Sequence, residues 1–405
     1  MILCKTNRIC GGAAYVRVFF TAAEYNPFHN GHAYHIEKTL RSGATHFVAV
    51  MSPNFVQRGE PAYFDKYLRA EAAVRGGVDL VLELPLIYAL SSAERFASGA
   101  VEIALATGIC DGFTFGCETP DLELLTQAAL IMNQDDFQDK IREERRNGKS
   151  YPTACMRVCG ERFHDVFSAS NNLLAVEYIR ALLKKGFKGE ILPVERFGSA
   201  HDSDITDKGI TSAMNIRKML LRGEDYSDFI PVNCVETYRD ALSKGLYPEN
   251  FEKAVVSLLR SVPKSAFDRL PDAKGGFADR LYRAVYNSST LEEIFEAAKT
   301  KRFTHASVRR AVYSIILSVD RDAIEQGVQY LRPLAFRNET AEGLFSEISK
   351  KSILPLLSRH NMIYGFDETA VKMYNMENHA VDLYNSFLKS PRPCGTDRTD
   401  RTVIL

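Results

Sequence analysis

No stretch of this 405-residue chain approaches the length of an uninterrupted transmembrane span, and residues 1–12 have no apolar signal core followed by a small-residue cleavage site. Neither membrane insertion nor secretion is expected. The eight cysteines are scattered, and the nearest pairs, Cys110 with Cys117 and Cys155 with Cys159, lack zinc-knuckle spacing. Reduced thiols in a cytoplasmic protein are the expectation, with no metal centre held by the chain. Charge of either sign is not in excess, with 51 Lys and Arg against 51 Asp and Glu. A nucleic-acid surface, if there is one, must therefore be a local patch.

What is present is a large apolar content, 45% of residues, enough for a sizeable core in two or three domains. Apolar runs at residues 15–20, 45–51, 78–84 and 112–116 alternate with helical patterns such as 66–74 and 93–106. That alternation predicts an α/β fold with a parallel sheet covered on both faces, in which ligands bind beyond the carboxyl ends of the strands. Residues 168–183 read as a further helix and 190–194 as a further strand. After Asp225 helix follows helix, with patterns at 281–285, 291–298 and 307–318 and no strong strand. The reading is a catalytic domain over 15–225, a helical domain over 226–390 and a loose tail over 391–405.

The most informative segment is E-Y-N-P-F-H-N-G-H at residues 24–32. It lies between a predicted strand and a predicted helix, where free N–H groups and the positive end of a helix dipole favour phosphate. Gly31 admits close approach to the backbone, and His29 and His32, three apart, can both reach one anionic group. A loop histidine and a packed helix histidine are the bland alternative. Further strand-following segments could complete the site: the loop 52–60 with Arg58, the turn at Gly116, Asn171 or Asn172, Arg196, and Ser212 with Arg217 at a helix start. The charged stretch 135–150, with Arg142, Arg145 and Arg146, reads as a solvated helix face.

An H-x-G-H element opening a strand–loop–helix unit resembles the nucleotidyltransferases, which transfer AMP from ATP and release pyrophosphate. The wider set of segments resembles one family, the bacterial tRNA(Met) cytidine acetate ligases: N-F-V-Q-R-G-E-P-A at 54–62, D-K-Y-L-R at 65–69, V-L-E-L-P at 81–85, N-N-L-L-A-V-E-Y-I at 171–179, S-A-M-N-I-R at 212–217, T-K-R-F-T at 300–304 and Y-L-R-P-L-A-F at 330–336. The resemblance implies a Rossmann-like H-x-G-H nucleotidyltransferase domain followed by a helical domain. It also implies activation of acetate as acetyl-adenylate and acetylation of the wobble cytidine of elongator tRNA(Met), with ATP as substrate and Mg2+ at its phosphates.

On this resemblance Ala22, Ala23, Glu24, Tyr25, Asn26, Pro27, Phe28, His29, Asn30, Gly31, His32, Ala33, Tyr34 and His35 cradle ATP. Gly116, Asn171 or Asn172, Arg196 and Ser212 add contacts, and His29, His32 and Arg217 carry the chemistry. Lys299, Lys301, Arg302, Arg309 and Arg310 are the expected tRNA-binding group, outside the nucleotide crevice. Three positions depart from the pattern: Pro53 for glycine, Asn215 for a hydroxyl residue, and Ala200 for an aromatic. Two alternatives stand beside this reading, a small-molecule adenylyltransferase that never touches RNA and a tRNA-binding protein with a degenerate catalytic site.

Overall fold

The computed structural model describes residues 16–196, 209–271 and 275–405. Tyr15 and the segment containing Ala200, His201 and Asp202 lie outside the described residues. Seven strands form one sheet: β1 (Val18–Ala23), β2 (His46–Met51), β5 (Leu80–Glu83), β6 (Gly112–Cys117), β7 (Glu190–Glu195), β8 (Pro333–Phe336) and β9 (Val403–Ile404). Two more, β3 (Phe55–Val56) and β4 (Glu60–Pro61), make a separate hairpin. The sheet order is β7-β6-β1-β2-β5-β8-β9, parallel throughout except where β8 runs against β5.

Period-2 patterning decides which side chains reach which face. Phe20, Val48, Val50 and Leu82 join one core with the helix Ala93–Ala106, while Phe47, Ala49, Met51 and Val81 join another with α2 (Lys66–Arg75). The chain leaves β1 toward β2 on one side and later returns to place β6 on the other. That reversal parts the connections above β1 and opens a crevice there. The helix α1 (Asn30–Arg41) starts at its edge.

Two expectations fail. The chain after Asp225 supplies β8 and β9, so the sheet is completed from the part expected to be purely helical. Nor are residues 391–405 loose. Asp397 is fully buried and meets Lys66 Nζ at 2.9 Å and Arg332 Nη1 at 2.8 Å, while Glu83 meets the same two cations at 2.6 and 3.2 Å. Burial alone would raise the Asp397 carboxyl, but Arg332 and Lys66 hold it well below the usual range. Two cations and two carboxylates thus balance in the core, which is the condition for tolerating buried charge.

Candidate nucleotide-binding site

Above the β1–β6 gap lies a cleft of about 1360 Å³. Its floor is made where β1 ends. Tyr25 takes a left-handed φ of +47°, rare for a residue with a Cβ, and its ring packs edge-on against Phe28 and His32 at 5.0 and 4.8 Å. Two buried side chains pin the loop: the Asn26 carboxamide accepts from the Tyr63 amide at 2.8 Å, and Arg69 donates to the carbonyls of Glu24, Ser52, Pro53 and Phe64. Pro53 lacks only a donor, and its carbonyl is one of the groups Arg69 uses.

His29 is the N-cap of α1, and the two histidines form a capping box. His29 Nδ1 accepts from the Gly31 amide at 3.0 Å, and His32 Nδ1 accepts from the His29 amide at 3.2 Å. An Nδ1 that accepts an N–H carries no proton, so the proton of each neutral ring is on Nε2. The rings stack 3.8 Å apart. Burial, reinforced by Arg196 and Arg217, pushes His29 down to about 3, and burial with Arg196 pushes His35 down to about 4. His32 falls well below its ordinary value through burial, then through His29, Arg196 and His35. At neutral pH the free site therefore presents Nε2–H donors rather than imidazolium cations.

Ala22, Ala23, Glu24, Tyr25, Asn26, Gly31, Tyr34 and His35 line the cleft with the two histidines. Pro27, Phe28, Asn30 and Ala33 do not, contrary to expectation. Phe28 is fully buried, its ring filling the space beside Gly76, and Asn30 ties the carbonyls of Gly209 and Asp228 at 2.8 and 2.9 Å. Gly116 lies under Arg196, whose Cγ would stand 3.2 Å from an added Cβ, and Arg196 Nε is buried with no hydrogen-bond partner among the described residues. Of the two asparagines, Asn171 lines the cleft and donates to Glu118 at 2.6 Å. Asn172 is fully buried and spends its amide on Glu118, Thr119 and Asp165, so it is structural.

Ser212 caps the helix Ala213–Arg222 by accepting from the Asn215 amide at 3.1 Å, and the Asn215 side chain donates to the Thr211 hydroxyl at 3.0 Å. Arg217 borders the cleft, but its fork is engaged: one arm donates to the Asn26 carbonyl at 2.7 Å and the other meets Glu60 at 3.3 Å. Its place is as a brace for the histidine loop, not as a free phosphate ligand.

The basic group expected outside the crevice is partly inside it. Arg302, Arg309 and Arg310 line the cleft; Arg309 meets Glu60 at 3.6 Å, and Arg310 donates to the Gln57 carbonyl at 3.0 Å. The fit is tight at the hairpin turn, where Gly59 has φ +74° and an added Cβ would stand 2.4 Å from the Arg310 amide. Lys299 and Lys301 are not among the lining residues. Arg142, Arg145 and Arg146, read from sequence as a solvated face, also line the cleft, and Arg145 donates to the Arg302 carbonyl at 3.1 Å. With Arg58, Arg95, Arg196 and Arg217 this makes ten arginines among the described lining residues, against the carboxylates of Glu24, Glu94 and Glu195. Such a cleft attracts polyanions.

A family model described as HIGH Nucleotidyl Transferase matches residues 18–398, and a tRNA(Met) cytidine acetate ligase of Thermoanaerobacter pseudethanolicus is 33% identical over 92% of this chain and 96% of its own. The chain belongs to the tRNA(Met) cytidine acetate ligase family of HIGH nucleotidyl transferases. Another member, from Acetivibrio thermocellus, is 34% identical over 96% of this chain and 100% of its own. The crystal structure of Thermotoga maritima TmcAL bound with α-thio ATP superposes with a TM-score of 0.88 at 29% identity, covering 96% of this chain and 100% of that one. Family membership accounts for the H-x-G-H turn. No helix among the described residues is long and apolar enough to cross a membrane.

Proposed function

We propose that this chain is an ATP-dependent ligase that activates acetate as acetyl-adenylate and transfers the acetyl group to the wobble cytidine of elongator tRNA(Met). The observation that carries the reading is the histidine capping box, which leaves both Nε2–H groups as preorganised neutral donors beside a helix N-terminus. The name of the relatives supports the acceptor.

Acetate is a poor acyl donor until one of its oxygens belongs to a good leaving group. Its carboxylate attacks the α-phosphorus of ATP, a P–O bond forms, and the bond to pyrophosphate breaks. His29 and His32 stabilise the charge that builds on the departing phosphates, with Arg196, Asn171 and Gly116 bordering the nucleotide. Mg2+ accompanying ATP would neutralise charge on its phosphates. The cytidine N4 amine then attacks the acetyl carbon and AMP leaves.

The cleft is larger than a nucleotide alone requires, and its outer walls are arginine-rich, which favours an RNA acceptor over a small one. ATP–pyrophosphate exchange with a panel of small carboxylates, with and without bulk tRNA, tests the reading. Acetate-dependent exchange followed by label transfer to tRNA is expected. Exchange without transfer to RNA would indicate a small-molecule adenylyltransferase, and no exchange with any carboxylate would indicate a degenerate site.

A further inference from the structure

The geometry points to Glu24 as the proton acceptor for acetyl transfer, a role that rests on the acceptor being a cytidine amine. An arylamine attacking an acyl-adenylate must shed a proton. The C–N bond forms, the C–O bond to AMP breaks, AMP takes the electron pair, and the proton lost from nitrogen has to go to a base within hydrogen-bond reach.

The histidines are poorly placed for that task, since each Nδ1 is occupied by a backbone amide and each Nε2 already carries a proton. The described carboxylates that line the cleft are Glu24, Glu94 and Glu195. Glu94 meets Arg180 at 3.4 Å, and Glu195 is an exposed strand residue. Glu24 differs from both. It sits at the end of β1, one residue before the strained Tyr25 and within the same loop as His29. Its Oε1 accepts from the Gln57 amide at 2.8 Å, while Oε2 has no hydrogen-bond partner among the described residues. One oxygen is thus anchored and the other is free at the cleft.

Several charged groups face this carboxyl: Arg58 and Glu60 from the hairpin, Arg217 from the helix Ala213–Arg222, Arg69 from α2, and the Tyr178 hydroxyl from the helix Ser170–Lys184. Burial outweighs the cations and raises the carboxyl above its ordinary value, making it a stronger base than a solvated glutamate. A bound adenylate phosphate adds negative charge and moves it further in the same direction.

The test uses the full chain, Glu24→Gln and Glu24→Asp, with acetyl-adenylate formed on the enzyme before tRNA is added. Gln can retain the Gln57 amide contact through its own Oε1, and a melting temperature close to wild type checks that the variant is folded. Single-turnover acetyl transfer should fall on the order of 10²–10⁴-fold in Glu24→Gln, well beyond any fall in pyrophosphate exchange. The wild-type transfer rate should rise with pH through one ionisation that the Gln variant lacks, and Asp should recover part of the rate. Equal falls in exchange and transfer would overturn the role and make Glu24 part of the ATP clamp, as would transfer at the wild-type rate. Wild-type enzyme that exchanges pyrophosphate yet never acetylates tRNA would overturn the parent reading instead, and this role with it.

Discussion

The Arg217 guanidinium donates to the Asn26 carbonyl at 2.7 Å, fastening the helix Ala213–Arg222 to the loop that presents His29 and His32. Its other arm meets Glu60, which also meets Arg309. Arg217→Lys keeps the charge but cannot span both partners, because a point charge does not reproduce a planar fork. Pyrophosphate exchange should fall by roughly tenfold or more, the penalty expected when a positioning contact loosens a catalytic loop. A Lys variant with wild-type exchange would show that the brace is dispensable.

His32→Ala should reduce adenylate formation far more than it weakens ATP binding, because a donor to developing phosphate charge works mainly in the transition state. Loss of one such donor costs on the order of a hundredfold or more in rate. Since His32 is also half of the capping box, the variant should lose about 1 kcal/mol of stability as well. Exchange kinetics and a melting curve on the same preparation separate the two effects.

Acid should destabilise the fold through the buried imidazoles. His29 and His35 titrate at about 3 and 4 in the folded chain, against an ordinary value of 6.5 once unfolded. Between those values the unfolded chain binds more protons. Their contribution to stability is therefore complete above 6.5 and is lost as pH falls toward the folded values. Melting temperature should decline through this window, and a His35→Gln variant should decline less steeply. A parallel slope for the variant would remove His35 from the account.

Asp397→Ala should leave Lys66 and Arg332 buried with one carboxylate between them. Breaking a buried ion group in this way costs roughly 3–5 kcal/mol. Denaturant titration of the variant measures it. A surface-like cost of a few tenths of a kcal/mol would mean that water reaches the network.

Arg142→Ala with Arg146→Ala should weaken tRNA binding and make its salt slope shallower by roughly one for each phosphate that is no longer neutralised. Filter binding across a salt series reads both quantities. Arg309 and Arg310 are unsuited to this test, because their interactions with Glu60 and Gln57 couple them to the nucleotide side.

The five parallel strands of the sheet and several of the helices between them were legible in the sequence from their periodicity, though Leu122–Met132 and Tyr151–Cys159 were not; residues 93–106 and, beyond the parallel strands, 291–298 form helices with the expected bounds. Strands β8 and β9 were not legible. Each is short, β8 opens on a proline, and they become strands only through pairing with β5 and with each other. The H-x-G-H turn stood out in the sequence as a candidate site because its residue types and its place after a strand are local facts. Asn171 and Asn172 could not be told apart, since adjacent helical residues point about 100° apart and only packing decides which one meets solvent. Arg142 and Arg146 are exposed, as a solvated face requires, but their place beside the cleft was not legible for a related reason. A charge run looks the same in sequence whether it faces bulk water or the wall of a cleft.

The contact between Asp397 and Lys66 also has a consequence for biosynthesis. A ribosome that has made the whole histidine loop, the first five strands of the sheet and most of the helices has still not delivered the carboxylate that Lys66 and Arg332 share, nor the strand that covers β8. Nascent chains at that stage hold buried cations without their full complement of anions and an unprotected sheet edge. Completion of the fold thereby waits until residues 397–404 have been made, and products truncated shortly before Asp397 should be recognised as misfolded although every residue lining the cleft has already been made.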